Sequence, residues 1–190
     1  VRGAGGRGGR NDADFIDNSA GVDCSDNEVN IKIALAGAKR AGRLDEPARV
    51  ELLTAMTDEV SALVLEDNRL QALALSIAQA GGAQAAASHI RLIETLEAGG
   101  HLDRKTEGLA DSDVLARRAA DGRGLTRPEL AVLMSSAKLV LQDALESSAV
   151  VDDPGLEDEL LAAFPAPMRE PFAQDILAHR LRREIIATKL

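Results

Sequence analysis

The residues of this chain best suited to chemistry lie together between Asp14 and Glu28, where Asp17-Asn18-Ser19-Ala20-Gly21 is followed by Ser25 and then Glu28. The first five are small, mostly polar residues around a glycine, a composition that favours a tight, non-repetitive backbone able to approach a ligand closely. Asn18 supplies a carboxamide, which donates and accepts hydrogen bonds at once. Ser25 with Glu28 three residues on spells the S-x-x-E capping box, in which the serine hydroxyl takes a free backbone N–H and the glutamate reaches back to the serine's own N–H. A helix is therefore predicted from Ser25 to about Arg40, with Val29, Ile31, Ile33 and Leu35 as its apolar surface. An anion at such a helix start gains about 0.3–1 kcal/mol from the dipole and the free N–H groups, so a carboxylate beside Ser25 suits this spacing. From spacing alone the structural reading leads, with Ser25 merely capping the helix and Asn18 merely turning the chain.

The elements that must position these residues read as helices. Ala and Leu, both strong helix formers, are prominent in the apolar set. Asp45 is placed to cap a helix before Glu46-Pro47, and Val50, Leu53, Met56 and Val60 recur at helical spacing. Leu63, Val64, Leu70, Leu73, Leu75 and Ile77 carry the pattern to Gly81-Gly82, with Thr57-Asp58-Glu59 as a restart point within so long a run. Further helices are predicted from Ala83 to Ala98, ended by Gly99-Gly100, and from Asp111 to Ala120, closed by Gly122 and Gly124. Thr126-Arg127-Pro128-Glu129 forms a second capping box and opens a helix whose inner stripe is Leu130, Leu133, Met134, Ala137 and Leu141. There, Thr126→Ala is expected to cost about 1 kcal/mol and Glu129→Ala less. After turns at Asp152–Gly155 and Phe164–Pro167, a last helix is predicted from Pro171 to Lys189, with Phe172, Ile176, Leu177 and Leu181 inward. One short strand is expected around Phe15-Ile16.

From Ile16 to Ile33 the chain resembles the large NAD-dependent glutamate dehydrogenases of bacteria. These usually carry I-D-N-S-A-G-V-D-x-S-D-H-E-V-N-I-K-I, and Asn27 here stands in place of the histidine. Smaller glutamate dehydrogenases have D-F-x-x-N-[AS]-[AG]-G-V-x-x-S-x-x-E, met by Asp14, Phe15, Asn18, Ser19, Ala20, Gly21, Val22, Ser25 and Glu28. Met56–Val60, Gly124–Leu133 and His179–Thr188 resemble the C-terminal region of the same large enzymes, so the likeness covers nearly the whole chain.

The resemblance implies a mainly α fold: a multi-helix C-terminal domain, residues 43–190, preceded by the truncated end of an α/β, Rossmann-type dehydrogenase domain, residues 1–42. It implies NAD as cofactor and the oxidation of L-glutamate with water to 2-oxoglutarate, ammonium and NADH. By it, Ser25 holds the side-chain carboxylate of glutamate, and Asn18 with Gly21 lies at the nicotinamide end of the cofactor. The catalytic lysine and aspartate and the glycine-rich cofactor loop lie upstream in the family, so no catalytic residue is assigned in this chain. A homo-oligomer is expected. The alternative is a non-catalytic, all-helical interaction or oligomerisation module.

Composition narrows the remaining classes. A net charge of -9 and 2% aromatic residues argue against a nucleic-acid surface, which needs clustered cations and rings for stacking. There is no transmembrane run and no signal-peptide core, and the single cysteine allows no internal disulfide, so a cytoplasmic protein is expected. Cys24 beside a helix start reads as a small buried filler in preference to a mildly activated thiol. Gly3-Ala4-Gly5-Gly6-Arg7-Gly8 fits G-x-G-x-x-G without a preceding strand, and Ser135–Lys138 fits S-x-x-K without K-T-G; both are set aside as accidental. The three histidines are dispersed, and no metal site is assigned. Arg180, Arg182 and Arg183 read as a solvated or salt-bridged face near a helix C-terminus.

Overall fold

The computed structural model describes Ile16 and residues 18–190. Among the described residues ten α-helices can be delimited: α1 Ser19–Arg40, α2 Glu46–Ala55, α3 Thr57–Ala80, α4 Gly82–Ala98, α5 Ser112–Ala120, α6 Arg127–Glu146, α7 Glu157–Ala162, α8 Ala166–Arg169, α9 Ala173–Leu177 and α10 Arg182–Lys189. No strand occurs among the described residues. Ile16 is helical, which corrects the strand expected there; Phe15 lies outside the described residues. The mainly α body expected from the sequence is present.

The described residues form two compact units, with boundaries inside α3 and α6: the first comprises Ile16, Asn18 and Asn68–Leu141, the second Ser19–Asp67 with Gln142–Leu190. The core of the first is aliphatic, built on Leu75, Ile93, Leu96, Leu115 and Leu130. α4 packs on α5. Between them Gly100 takes the left-handed conformation, φ +74°, and His101 N–H donates back to Leu96 O at 2.8 Å, closing α4 as the Gly99-Gly100 pair predicts. The loop after it is held by Arg104, whose guanidinium donates to Glu97, to Ala110 O and to Ser112 Oγ. Gly124 is needed for a close approach, because a Cβ there would lie 2.5 Å from Gly82 O.

At the start of α6 the glutamate half of the capping box is formed: Thr126 N–H donates to Glu129 Oε2 at 2.8 Å. The Thr126 hydroxyl also donates to that carboxylate, which in turn receives Arg118 at 2.9 Å. Glu129 is thus a buried hub, so its loss is expected to cost more than that of Thr126, an order opposite to that expected from the sequence. Burial in α6 also departs from the predicted stripe. Residues 128–133 are buried on all sides, whereas Leu141 is 54% exposed.

In the second unit Leu35, Met56, Leu160, Phe164, Met168, Ile176 and Ile186 form the core. Asp45 caps α2 as expected, accepting from Ala48 N–H at 2.8 Å, and the long run breaks at Met56 just before Thr57. The single helix predicted for Pro171–Lys189 is in fact two. His179 turns into the core and its Nδ1 accepts the Leu181 N–H at 3.1 Å, a local bond that replaces helical pairing. Arg182 and Arg183 therefore stand at the start of α10, where the dipole disfavours cations. Arg183 offsets this by donating to Glu146 O and Ser148 O and by pairing with Asp152.

Candidate functional site on the first helix

α1 begins at Ser19, six residues before the predicted start. Nothing in Ala20–Cys24 breaks a helix except Gly21, whose cost of about 1 kcal/mol relative to alanine is small against the propagation of a 22-residue helix. The capping box at Ser25 is accordingly not formed. Ser25 lies inside the helix, its Oγ donating to Gly21 O at 3.1 Å, and Glu28 pairs with Lys32 one turn on. The helix dipole acts mainly within the first turn, so it lends little to a carboxylate at Ser25.

Asn18 is an exposed turn residue immediately before the helix, and Gly21 and Ser25 are exposed, one turn apart on α1. Gly21 has ordinary helical backbone instead of the tight turn expected of it. Cys24, read as buried, is exposed. No residue of α1 before Ile31 is fully buried, and Gly21, Cys24 and Ser25 lie off the half-buried stripe of Ser19, Asp23, Asn27 and Asn30. Asn27, in the histidine position, donates to Asp23 O at 2.9 Å and does not titrate. Among the described residues no group of three or more His, Cys, Asp or Glu could hold a metal.

The second half of α1 is anchored. Ile31, Ala34, Leu35 and Ala38 are buried, a hydrogen-bond contact from the C-terminal segment reaches the helix at Asn30, and Asp175 meets it at Gly37 and pairs with Arg43 just beyond its end. His179, 3% exposed, directs Nε2 to Asn30 O at 3.2 Å. With Nδ1 accepting from Leu181, the proton is assigned to Nε2, and the imidazole is neutral. Burial, with the nearby charge of Arg180, lowers its pKa against the opposing effects of Asn30 O and Glu184. The Phe164 ring packs against it at 5.7 Å between centroids. Asp175 accepts both Arg43 Nη atoms at 2.7 Å and lies so close to Gly37 that a Cβ there would meet its Oδ1 at 3.0 Å. These residues were missed at the level of sequence, since His179 stood out only as a histidine without metal partners.

A broader depression, an open cleft of about 1110 Å³, lies among Glu97, Leu102, Arg104, Ala110 and Ser112 in the first unit. Its central cation is engaged by Glu97, whose carboxyl it holds below the usual range, and by Ala110 O and Ser112. This arrangement staples a loop.

Residues 3–78 match the family described as bacterial NAD-glutamate dehydrogenase, catalytic domain, and residues 122–190 that described as glutamate dehydrogenase, C-terminal. The NAD-specific glutamate dehydrogenase of Pseudomonas aeruginosa is 48% identical over 183 residues, 96% of this chain and 11% of the relative. The chain belongs to the bacterial NAD-specific glutamate dehydrogenase family. Those of Halomonas elongata and Mycobacterium tuberculosis are 44% and 42% identical over 97% and 96% of the chain, again 11% of each relative. The chain thus spans about a ninth of the length of these relatives. α1 falls in the catalytic-domain match, and Phe164, Asp175 and His179 fall in the C-terminal match. The anchor joins one to the other. No helix among the described residues is long and apolar enough to cross a membrane.

Proposed function

We propose that this chain forms the C-terminal part of an NAD-dependent glutamate dehydrogenase, which converts L-glutamate, NAD⁺ and water to 2-oxoglutarate, ammonium and NADH. The observation that carries the reading is 48% identity along 96% of the chain to an enzyme of that name. The dehydrogenase region would end at about residue 42, just after α1, where Gly42 turns the chain at φ +70°, and the helical domain would follow from 43 to 190.

Ser25 would hold the side-chain carboxylate of glutamate. A carboxylate accepts only, so the serine must donate, and its single proton is now directed to Gly21 O. Rotation about χ1 redirects that proton at small cost, because the bond is exposed and the carbonyl also lies in the helix ladder. Asn18 would meet the nicotinamide amide with its exposed carboxamide, and Gly21 leaves room for the ring. NAD⁺ supplies the hydride acceptor when bound. The share of this chain would be to orient substrate and the nicotinamide end. We place the enzyme in the cytoplasm, where the exposed thiol of Cys24 stays reduced, and expect it to be a homo-oligomer.

The test compares glutamate-dependent NADH formation by the isolated 190-residue chain with that by the full polypeptide containing it. The full protein should turn over glutamate and the isolated chain should not. Turnover by the purified chain alone, or none by the full protein, overturns the reading. A second reading, a non-catalytic helical interaction or oligomerisation module, draws on Leu139 and Leu141, which α6 leaves 62% and 54% exposed. Normal turnover with a monomeric Leu139→Lys variant would assign those side chains to assembly alone.

A further inference from the structure

We propose that the C-terminal segment of this chain positions α1, with His179 and Asp175 acting as positioning residues for Ser25. The inference rests on the substrate role proposed for Ser25. The first three turns of α1 bury no residue fully, and only the half-buried stripe of Ser19, Asp23, Asn27 and Asn30 faces inward, so the hold on the second half of the helix contributes to the direction in which Ser25 points. His179 makes its contact at Asn30, one residue before the first buried position and roughly 7.5 Å along the axis from Ser25. The second contact, at Gly37 and Arg43, lies at the far end, where the Asp175 carboxylate seats against the glycine and takes the guanidinium in a fork. Two fixed points on a rod determine its direction. Between them Ile31, Ala34, Leu35 and Ala38 prevent sliding, since they are packed into the same core as Phe164 and Ile176.

The imidazole is suited to this task by its geometry. Its Nδ1 is occupied by a backbone donor and Phe164 lies against its ring, so only Nε2 remains to reach α1. Because His179 and Asp175 belong to the C-terminal family match and α1 to the catalytic-domain match, this gives the C-terminal helices a catalytic purpose: holding a substrate contact in register.

The test is a double-mutant cycle in the full-length enzyme, with steady-state kinetics for both substrates and a melting curve on every variant. In His179→Asn the amide oxygen can still accept from Leu181 N–H but no donor reaches Asn30. We expect glutamate KM to rise about tenfold, with kcat changing less and NAD⁺ KM nearly constant. His179→Gln, which keeps a donor near Nε2, should restore most of the loss. In a Ser25→Ala background the effect of His179→Asn on glutamate KM should vanish. If Ser25→Ala impairs glutamate use and His179→Asn does not, or if the two effects multiply independently, the positioning role is overturned and the substrate role of Ser25 stands. If Ser25→Ala is itself silent, both fall. Should His179→Asn fail to fold, Asp175→Asn, which leaves the imidazole in place, takes its part in the same cycle with the same outcomes.

Discussion

The two units are held over different ranges of sequence. In the first, Arg104 reaches Glu97 and Ser112 within 8 positions, Arg118 reaches Glu129 across 11, and Arg127 reaches Ser76 and Ala72 across 51 and 55. In the second, Arg43 meets Asp175 across 132 positions, His179 meets Asn30 across 149, and Lys189 meets Asp67 across 122. Local links form as soon as neighbouring helices do, whereas distant ones require both ends of the chain to meet, at a higher entropic cost of closure. The lesson is functional as well as kinetic. A change near the C-terminus of the chain should therefore be felt on α1, and a change in the α4–α5 hairpin mainly by its own neighbours.

The largest expected effect comes from the centre of the long-range unit. Phe164→Ala removes a ring that is 1% exposed and packs on His179, and should cost about 3–5 kcal/mol by denaturant unfolding followed by circular dichroism. Amide exchange should accelerate in α1 more than in α4. Equal acceleration in both would erase the contrast between the units. Next, Gly124→Ala drives a methyl group against the Gly82 backbone and should cost about 1–3 kcal/mol, since neither backbone can yield as a side chain would. An unchanged midpoint would mean that the two glycines are not in contact.

A finer comparison sets Glu129→Ala against Thr126→Ala. The first leaves Arg118 and the Thr126 N–H without their acceptor and should cost about 2 kcal/mol; the second loses a hydroxyl and should cost about 1 kcal/mol. The reverse order would restore the simple cap. The smallest effect is a pH dependence. Burial lowers the pKa of His179, so below about 6.5 the unfolded chain binds protons that the folded chain refuses. Stability is complete above about 6.5 and is lost as the pH falls from there through the lower folded value. His89 in the first unit, also lowered by burial, adds to the slope. Unfolding at pH 7.5 and 5.5 should therefore show a loss that His179→Asn reduces without abolishing.

Helix spacing, Asp45 as a cap, the break near Thr57 and the left-handed Gly100 were all legible in the sequence, because each depends on residues within one turn of one another. Ser25 shows where that reasoning stops. Its capping signature is genuine, but the chain upstream also tolerates helix, and propagation from Ser19 turned a cap into an interior residue. The division of α9 from α10 was hidden because Ala178-His179-Arg180-Leu181 contains no helix breaker; the break comes from a buried imidazole that meets α1 across 149 positions. The resemblance identified the family, yet the anchoring contacts became visible only when the ends of the chain were brought together.

The most direct measurement is steady-state kinetics of Ser25→Ala in the full-length enzyme, with glutamate and NAD⁺ varied separately and assayed well below the melting point. Loss of one hydrogen bond to a charged carboxylate, about 1.5–3 kcal/mol, predicts a fall in kcat/KM for glutamate of roughly ten- to a hundredfold, with a raised glutamate KM and nearly intact NAD⁺ binding. Asn18→Ala should instead act mainly through the cofactor. Normal binding and turnover of glutamate by Ser25→Ala would contradict the account and leave Ser25 a helix residue with no part in the reaction.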